Sequence, residues 1–215
     1  MTRRARYGAW CAGLFILLVA GWSLWHNYLE DRIFPKRFGV VVPGLVYRSG
    51  QISSVLIGKV LEEHHIKVVV DLQFDEGSAI QHAEARAIEH LGIAQYRFPL
   101  NGNGTGDIKH YAAAIARIQQ SIDEGKPVLV HCAAGTQRTG GVIAAWQTLV
   151  RGEPVPSAIA GMEAYGWKPV KNRILAEYLD RNMPVLASDL VDLKVIDKLP
   201  AKLPDFEASL PRRGD

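Results

Sequence analysis

Beyond residue 40, short apolar runs alternate with longer segments in which apolar residues recur every three or four positions. Runs at residues 66–72 (IKVVVDL), 93–99 and 127–131 (PVLVH) predict strands, two of them fully buried. Residues 40–42 and 45–48 flank the turn signal Pro43-Gly44 and predict a short hairpin. The periodic segments predict helices over residues 53–65, 78–91, 107–122, 138–150, 157–165 and 172–182. This alternation predicts an α/β domain whose central, mostly parallel sheet is flanked by helices.

The pattern before residue 30 is different, because residues 8–25 (GAWCAGLFILLVAGWSLW) carry no charged side chain. A helix of this length spans roughly 27 Å, close to the thickness of the hydrocarbon core of a bilayer. Trp10, Trp22 and Trp25 lie toward its two ends, as interfacial aromatic residues do. The segment predicts one uncleaved N-terminal transmembrane helix. A cleaved secretory signal and a buried soluble helix are the alternatives.

Charge adds to this picture only at the N-terminus. The chain has 25 Lys and Arg against 22 Asp and Glu, and three of the basic residues are Arg3, Arg4 and Arg6. The rest of the chain is formally neutral, so we expect no nucleic-acid partner. A hydrophobic content of 48% excludes a disordered chain, and two cysteines exclude a disulfide scaffold.

The same three arginines bear on membrane topology. By the positive-inside rule they favour a single-pass protein with its N-terminus inside and its domain outside the cytoplasm, in the periplasm of a bacterium with two membranes. The free thiol of Cys132 argues mildly against export, since it has no cysteine partner outside the apolar segment to protect it from over-oxidation.

Candidate chemistry lies where the 127–131 strand meets the next helix, in the sequence HCAAGTQRTG at residues 131–140. A tight strand-to-helix loop aims successive backbone N–H groups at one point and so forms an anion site. Arg138 offers a planar fork of donors for phosphate oxygens. The same positive surroundings lower the pKa of a thiol, which would make Cys132 nucleophilic. Thr139 can donate its hydroxyl to the thiolate, and His131 can fix the loop through its ring nitrogens.

This motif resembles the signature of the cysteine-dependent protein tyrosine phosphatase (PTP) superfamily, which is His-Cys, five residues, then Arg-Ser/Thr-Gly. The compact size and the YRSGQ segment at residues 47–51 resemble the small dual-specificity-phosphatase-like branch, including exported bacterial members. The resemblance spans roughly residues 40–182. The non-functional interpretation of this motif is a buried structural cysteine beside an incidental arginine.

The resemblance implies site residues and roles. Cys132 would be the nucleophile that forms a thiophosphate intermediate, Arg138 would bind the phosphoryl group, and Thr139 would assist breakdown of the intermediate. His131 would support the loop, and no metal or other cofactor is implied. The residues implied to bind the substrate phosphate are Ala133, Ala134, Gly135, Thr136, Gln137 and Arg138.

The general acid is the least determined role, because the superfamily takes it from a separate upstream loop. Asp107 is the predicted acid, although it is equally suited to cap the helix that follows it. Asn103 lies nearer the middle of the loop but cannot transfer a proton. Asp71 ends a strand and is predicted to be structural, and Asp75 is a reserve candidate.

Other polar positions carry weaker signals. The glycines at 102, 104 and 106 do not have the spacing of a nucleotide-binding loop and predict a flexible loop beside the substrate. The histidines at 64, 65, 82, 90 and 110 lack metal-site spacing and are interpreted as solvated helix positions. Arg48 and Ser49 fit either the pocket wall or a structural strand end.

These observations divide the chain into an N-terminal arm and anchor (1–29), a linker (30–39), a phosphatase-like domain (40–184) and a C-terminal tail (185–215). The first part of the tail is predicted to pack against the domain, and the rest of the tail is predicted to be disordered. The function predicted is a membrane-anchored phosphomonoester hydrolase, a protein tyrosine or dual-specificity phosphatase that acts on phosphorylated proteins. A lipid or phosphoinositide phosphatase and a catalytically silent phosphate-binding module are the alternatives.

Overall fold

The computed structural model describes residues 15, 17–23, 25 and 30–211 of the chain. Within these residues, no helix combines the length and the apolar character that a membrane crossing needs. Half of the predicted transmembrane segment (residues 8–25) lies outside the described residues, so the transmembrane helix stays a prediction.

Five strands form one sheet: β1 (Gly39–Val42), β2 (Val46–Ser49), β3 (Val68–Asp71), β4 (Ala94–Arg97) and β5 (Val128–His131). Their spatial order is β1-β2-β5-β3-β4. The β1–β2 hairpin is antiparallel, whereas β2, β5, β3 and β4 are mutually parallel. The prediction of a mostly parallel sheet is therefore confirmed.

From residue 30 onward the helices are α1 (Glu30–Ile33), α2 (Ile57–Glu63), α3 (Ala79–His90), α4 (Ile108–Asp123), α5 (Gln137–Leu149), α6 (Val155–Ala164) and α7 (Ile174–Asp192), followed by a short 3₁₀ helix (Glu207–Ser209). Two starts follow from capping side chains. Ser78 and Gln81 form a capping box before α3, and the Asp107 carboxylate accepts the Lys109 N–H before α4. By contrast, α2 begins at Ile57 rather than near Ser53, because residues 54–56 form a turn.

Helices cover both faces of the sheet because all four residues of β2, β3 and β5 are buried. Alternate residues of these strands, such as Val130, pack on one face with α4, α5 and α7. Their neighbours, such as Leu129, pack on the other face with α2 and α3. Burial on both faces explains why these strands read as continuous apolar runs.

The C-terminal region corrects two predictions. Helix α7 does not end near residue 182 but continues through Pro184 to Asp192, because Met183, Leu186 and Leu190 are buried on either side of the proline. This burial offsets the lost backbone hydrogen bond. The tail also stays ordered as far as residue 211, where the described chain ends, since Phe206 and Leu210 join the main core.

Candidate active site

The parallel sheet brings three polar residues to one edge. Asp71 and Ser49 each pair with His131 in the strand register, at the carboxyl ends of β3, β2 and β5. Ligand sites of open parallel sheets form beyond this edge. The segment that follows β5, residues 132–138 (the Cys132 loop), includes the first two residues of α5.

Gly135 gives the Cys132 loop its tight curvature. Its φ is +74°, a left-handed conformation, and a Cβ at this position would collide with the backbone of Gly50. The loop therefore packs against the end of β2, and the Gly135 N–H points back to the Cys132 sulfur at 3.2 Å.

Three consecutive carbonyl groups of the loop, those of residues 133–135, accept hydrogen bonds from outside it. The donors are the Gln51 N–H (3.1 Å), Arg37 Nη1 (2.8 Å) and Arg48 Nη2 (2.7 Å). In a planar trans peptide the following N–H lies opposite the carbonyl. The N–H groups of residues 134–136 are therefore turned away from these donors, as the Gly135 contact with Cys132 illustrates.

Cys132 has the surroundings of a thiolate. Burial by itself raises the pKa of its thiol, but hydrogen bonds from the Thr139 side chain and backbone, the charge of Arg138 and the Gly135 N–H outweigh burial. The net shift of the Cys132 pKa is downward, which favours the nucleophilic form. The Thr139 hydroxyl also lies 3.5 Å from the Ser49 carbonyl oxygen.

Cys132 and Arg138 open into one cavity of about 390 Å³. Of the residues implied to bind phosphate, Ala134, Thr136, Gln137 and Arg138 line this cavity. Ala133 and Gly135 contribute their carbonyls to the bonds that orient the loop. The cavity is also lined by Gly102 and by Gly166, Lys168, Lys171 and Asn172 from the α6–α7 connection.

Arg48 supports the loop from behind rather than lining the cavity. Its side chain is buried, bonds to the Gly135 carbonyl and stacks over the Tyr165 ring at 3.9 Å. Burial lowers the pKa of Arg48 to about 10, which leaves it charged at neutral pH. Of the two sequence interpretations, the structure favours the strand-end structural role.

His131 faces away from the cavity toward buried carboxylates. Its Nε2 lies 3.0 Å from Glu84 Oε1 and 3.9 Å from Asp71 Oδ1. Burial lowers the pKa of His131, but Glu84 and Asp71 more than reverse this effect and raise it to about 9. The ring therefore carries a positive charge and forms ion pairs behind the loop.

Glu84 is a site residue that the sequence reasoning missed. A signal was present, because Glu84 lies four residues from both Ile80 and Ile88, on the stripe of α3 that faces the sheet. The ligand atoms of Asp71, Glu84 and His131 lie within 4.8 Å of one another, a spacing that a metal ion can use. However, the Arg97 guanidinium already pairs with Asp71 at 3.0 Å, so we interpret the cluster as an ion-pair network.

Asp107 lines a different cavity from Cys132. This second cavity of about 500 Å³ includes Phe74, Pro99, His110 and Tyr178. Burial and the nearby Asp107 raise the pKa of Tyr178 to about 12. The loop 101–107 separates the two cavities, with Gly102 on one side and Asp107 on the other.

The remaining candidate acids are engaged elsewhere. The Asn103 carbonyl oxygen accepts the Thr105 N–H at 3.1 Å and the Thr105 hydroxyl at 2.8 Å, which folds Asn103 into the loop turn. Asp71 is buried against Arg97. Asp75 is exposed, and hydrogen bonds from Gly77 and Arg97 lower its pKa, which disfavours the protonated form.

Comparisons with known proteins find a matching family model and several similar folds. A family model described as "Polymorphic toxin system, DSP-PTPase phosphatase" matches residues 50–153, which include Asp107, Cys132 and Arg138. The fold is similar to Tk-PTP, with 21% identity, a TM-score of 0.56, and coverage of 74% of this chain and 97% of that chain.

Two further structures have the same TM-score of 0.56. The core catalytic domain of the PP-IP phosphatase SIW14 from S. cerevisiae is 19% identical, and the alignment covers 72% of this chain and 92% of that chain. P. aeruginosa TpbA is 19% identical, and the alignment covers 73% of this chain and 96% of that chain. The family model and the similar folds together support a small cysteine-dependent phosphatase of the PTP or dual-specificity type, a hydrolase.

Proposed function

We propose that this chain hydrolyses phosphotyrosine in proteins, with activity on phosphoserine and phosphothreonine in addition, as a membrane-anchored enzyme. One observation carries the catalytic part of the proposal. Cys132, whose thiol has a lowered pKa, and Arg138 line the same cavity. The backbone N–H groups of the loop between them point away from the donors that bind its carbonyl groups from outside. This arrangement binds a dianionic phosphoryl group and presents a nucleophile to it.

The reaction proceeds in two displacements. Cys132 Sγ attacks the phosphorus, the bond to the ester oxygen breaks, and a general acid protonates the leaving oxygen; we assign this role to Asp107. Water then attacks the phosphorus of the thiophosphate, the Asp107 carboxylate left by the first step takes a proton from this water, and the S–P bond breaks. Inorganic phosphate leaves, and the regenerated thiolate is stabilised by the Thr139 hydroxyl.

Phosphotyrosine is favoured over the other candidate substrates. A Cys→Ser form of P. aeruginosa TpbA was crystallised in complex with phosphotyrosine. Phosphoinositide phosphatases of the superfamily often have lysines inside the loop, whereas residues 133–137 here are Ala-Ala-Gly-Thr-Gln. A silent binding module would not need a thiol with a lowered pKa.

Membrane anchoring rests on the N-terminal segment. Phe15, Leu17, Leu18 and Trp22 each expose more than 60% of their surface, and large apolar surfaces of this kind need a cover. Insertion of residues 8–25 into a bilayer, with the catalytic domain outside the cytoplasm, supplies one. An alkaline phosphatase reporter, which is active only outside the cytoplasm, is expected to be active when fused after Asp215. If this fusion is inactive and a reporter that is active only in the cytoplasm works at the same position, the topology is contradicted.

The catalytic proposal is tested with the full chain in detergent. Hydrolysis of tyrosine phosphopeptides is expected for the wild type and is expected to fall at least about a thousandfold in Cys132→Ser, because the hydroxyl is a far weaker nucleophile than the thiolate. Phosphoinositides in phosphatidylcholine vesicles provide the comparison. Equal inactivity of wild type and variant supports the silent module, and faster hydrolysis of the phosphoinositides supports the lipid phosphatase.

A further inference from the structure

One side of the mouth of the Cys132 cavity is positively charged. Lys168 and Lys171, from the connection between α6 and α7, line the same cavity as Cys132 and Arg138, and no carboxylate is among its described lining residues. Both lysines are exposed. Throughout residues 30–211, neither has a carboxylate within ion-pair distance. Their positive charges therefore have no ion-pair partner among the residues that the structure describes.

The other basic groups near this mouth already have partners. Arg37 and Arg48 donate to carbonyl oxygens of the Cys132 loop, and Lys36 pairs with Asp31 at 3.3 Å. These contacts serve the loop or its flank. Lys168 and Lys171 differ, since no contact within the described fold accounts for their charge.

The backbone that carries the two lysines is held in place beside the loop. The Thr136 hydroxyl donates to the Tyr165 carbonyl at 3.3 Å. The backbone N–H of the buried Trp167 donates to the Met162 carbonyl at 3.1 Å. The Asn172 N–H in turn donates to the Lys168 carbonyl at 2.8 Å. These hydrogen bonds place the backbone that carries the two lysines beside the Cys132 loop, so less ordering of this connection is needed when a substrate binds.

We propose that Lys168 and Lys171 form a second anion subsite that binds acidic side chains flanking the phosphotyrosine of a protein substrate. The inference rests on the proposed function and deepens it. A peptide is favoured over a phosphoinositide because the lysines lie at the exposed mouth, whereas the loop at the base of the cavity contains no lysine. The bottom of the Cys132 cavity then binds the phosphoryl group, and the two lysines at its mouth bind the acidic residues that flank the phosphotyrosine.

The experiment compares three phosphotyrosine peptides that differ only in their flanking residues, which are Glu, Gln or Lys, with the full chain as enzyme. The wild type is expected to have a kcat/KM about fivefold higher for the Glu peptide than for the Gln peptide at low salt, from two partly exposed charge pairs. At 1 M salt this ratio is expected to approach one, because screening shortens the Debye length to about 3 Å.

Charge reversal provides the decisive variant. The double substitution Lys168→Glu/Lys171→Glu is expected to invert the preference, so that the Lys peptide becomes the better substrate. The charge-conserving substitution Lys168→Arg/Lys171→Arg is expected to retain the wild-type preference for Glu. Lys59→Glu is the matched control, since Lys59 is an exposed lysine of α2 that does not line the Cys132 cavity. This control is expected to keep the wild-type ratio.

The outcomes separate the two proposals. Equal rates on the Glu and Gln peptides in the wild type, or an unchanged ratio after charge reversal, overturn the subsite alone. No Cys132-dependent hydrolysis of any peptide overturns the proposed function and the subsite with it. Faster hydrolysis of a phosphoinositide in phosphatidylcholine vesicles than of all three peptides also overturns both proposals, because the two lysines would then bind a lipid headgroup.

Discussion

Asp107 combines two possible roles in one carboxylate. It caps α4 by accepting the Lys109 N–H at 2.9 Å, and it lies at the end of the loop whose other side, at Gly102, lines the Cys132 cavity. The alternative residues have stronger attachments, because Asp75 is held by Arg97 and Asn103 is folded into its own loop. The Asp107 carboxylate is therefore freer than that of Asp75 to take part in proton transfer.

Replacing Asp107 by Asn separates these two roles. Asn caps helices as well as Asp does, so the stability of the fold is expected to stay within about 0.5 kcal/mol of the wild type. Loss of the acid is expected to lower kcat about a hundredfold on phenyl phosphate and less on p-nitrophenyl phosphate, whose leaving group needs less protonation. Because an acid must be protonated to act, the decline of kcat at high pH is also expected to disappear.

Asp75→Asn is the matched control for this prediction, since it removes a carboxylate from the preceding loop without touching the cap. Steady-state kinetics across the pH range, together with urea denaturation, give the two readouts. If Asp107→Asn kept the kcat and the pH profile of the wild type, its carboxylate would be only a helix cap.

At the scale of elements, β3, β5 and α3 meet in the buried ion-pair network behind the Cys132 loop. Strand β5 ends in His131, and α3 places Glu84 against its ring at 3.0 Å. Because His131 immediately precedes Cys132, a shift of its ring would move the start of the loop. The network therefore connects α3 to the start of the Cys132 loop.

Replacing Glu84 by Gln is expected to destabilise the fold in a pH-dependent way. The pKa of His131 is raised from 6.5 to about 9, so the ion pair contributes fully below pH 6.5 and its contribution is lost as the pH rises through 9. The wild type is expected to be more stable than the variant by on the order of 3 kcal/mol near pH 6, with a gap that narrows toward pH 10.

Urea denaturation of the full chain at several pH values measures this gap. Glu89→Gln is the control, because Glu89 lies on the same helix and is exposed. A stability difference that stays constant from pH 6 to pH 10 would mean that Glu84 acts through packing rather than through the charge of His131.

At the scale of the whole molecule, the C-terminal tail closes the fold over α7. The Asp180 carboxylate accepts the N–H groups of Phe206 and Glu207, each at 2.7 Å, and Arg173 forms an ion pair with Glu207 at 2.8 Å. Arg173 directly precedes α7 and follows the connection that carries Lys171. The tail thus stabilises the element that borders one side of the active site.

Truncating the side chain of Phe206 to Ala is expected to destabilise the full chain by about 3–5 kcal/mol, because this ring is only 1% exposed within the main core. Leu199→Ala is the control, since Leu199 lies in the same tail and is 56% exposed. Its expected effect is below about 0.5 kcal/mol. Equal urea midpoints for Phe206→Ala and wild type would contradict the role of the tail.

The sequence by itself predicted most of the strands and helices and the strand-to-helix position of the Cys132 loop. Strand runs, capping residues and the motif HCAAGTQRTG are local, and their physical consequences arise within a few residues. The strand-to-helix turn that exposes N–H groups and lowers the pKa of Cys132 follows from neighbours in the chain, namely Gly135, Arg138 and Thr139.

Only the tertiary structure decided which distant groups surround that loop. Arg37 and Arg48 reach its carbonyls across about ninety residues of chain, and Glu84 meets His131 across the sheet. The placement of Asp107 in a second cavity and of Lys168 at the mouth also depends on how loops pack. No local periodicity encodes these distances, because they are set by strand order and by the packing of helices on the sheet.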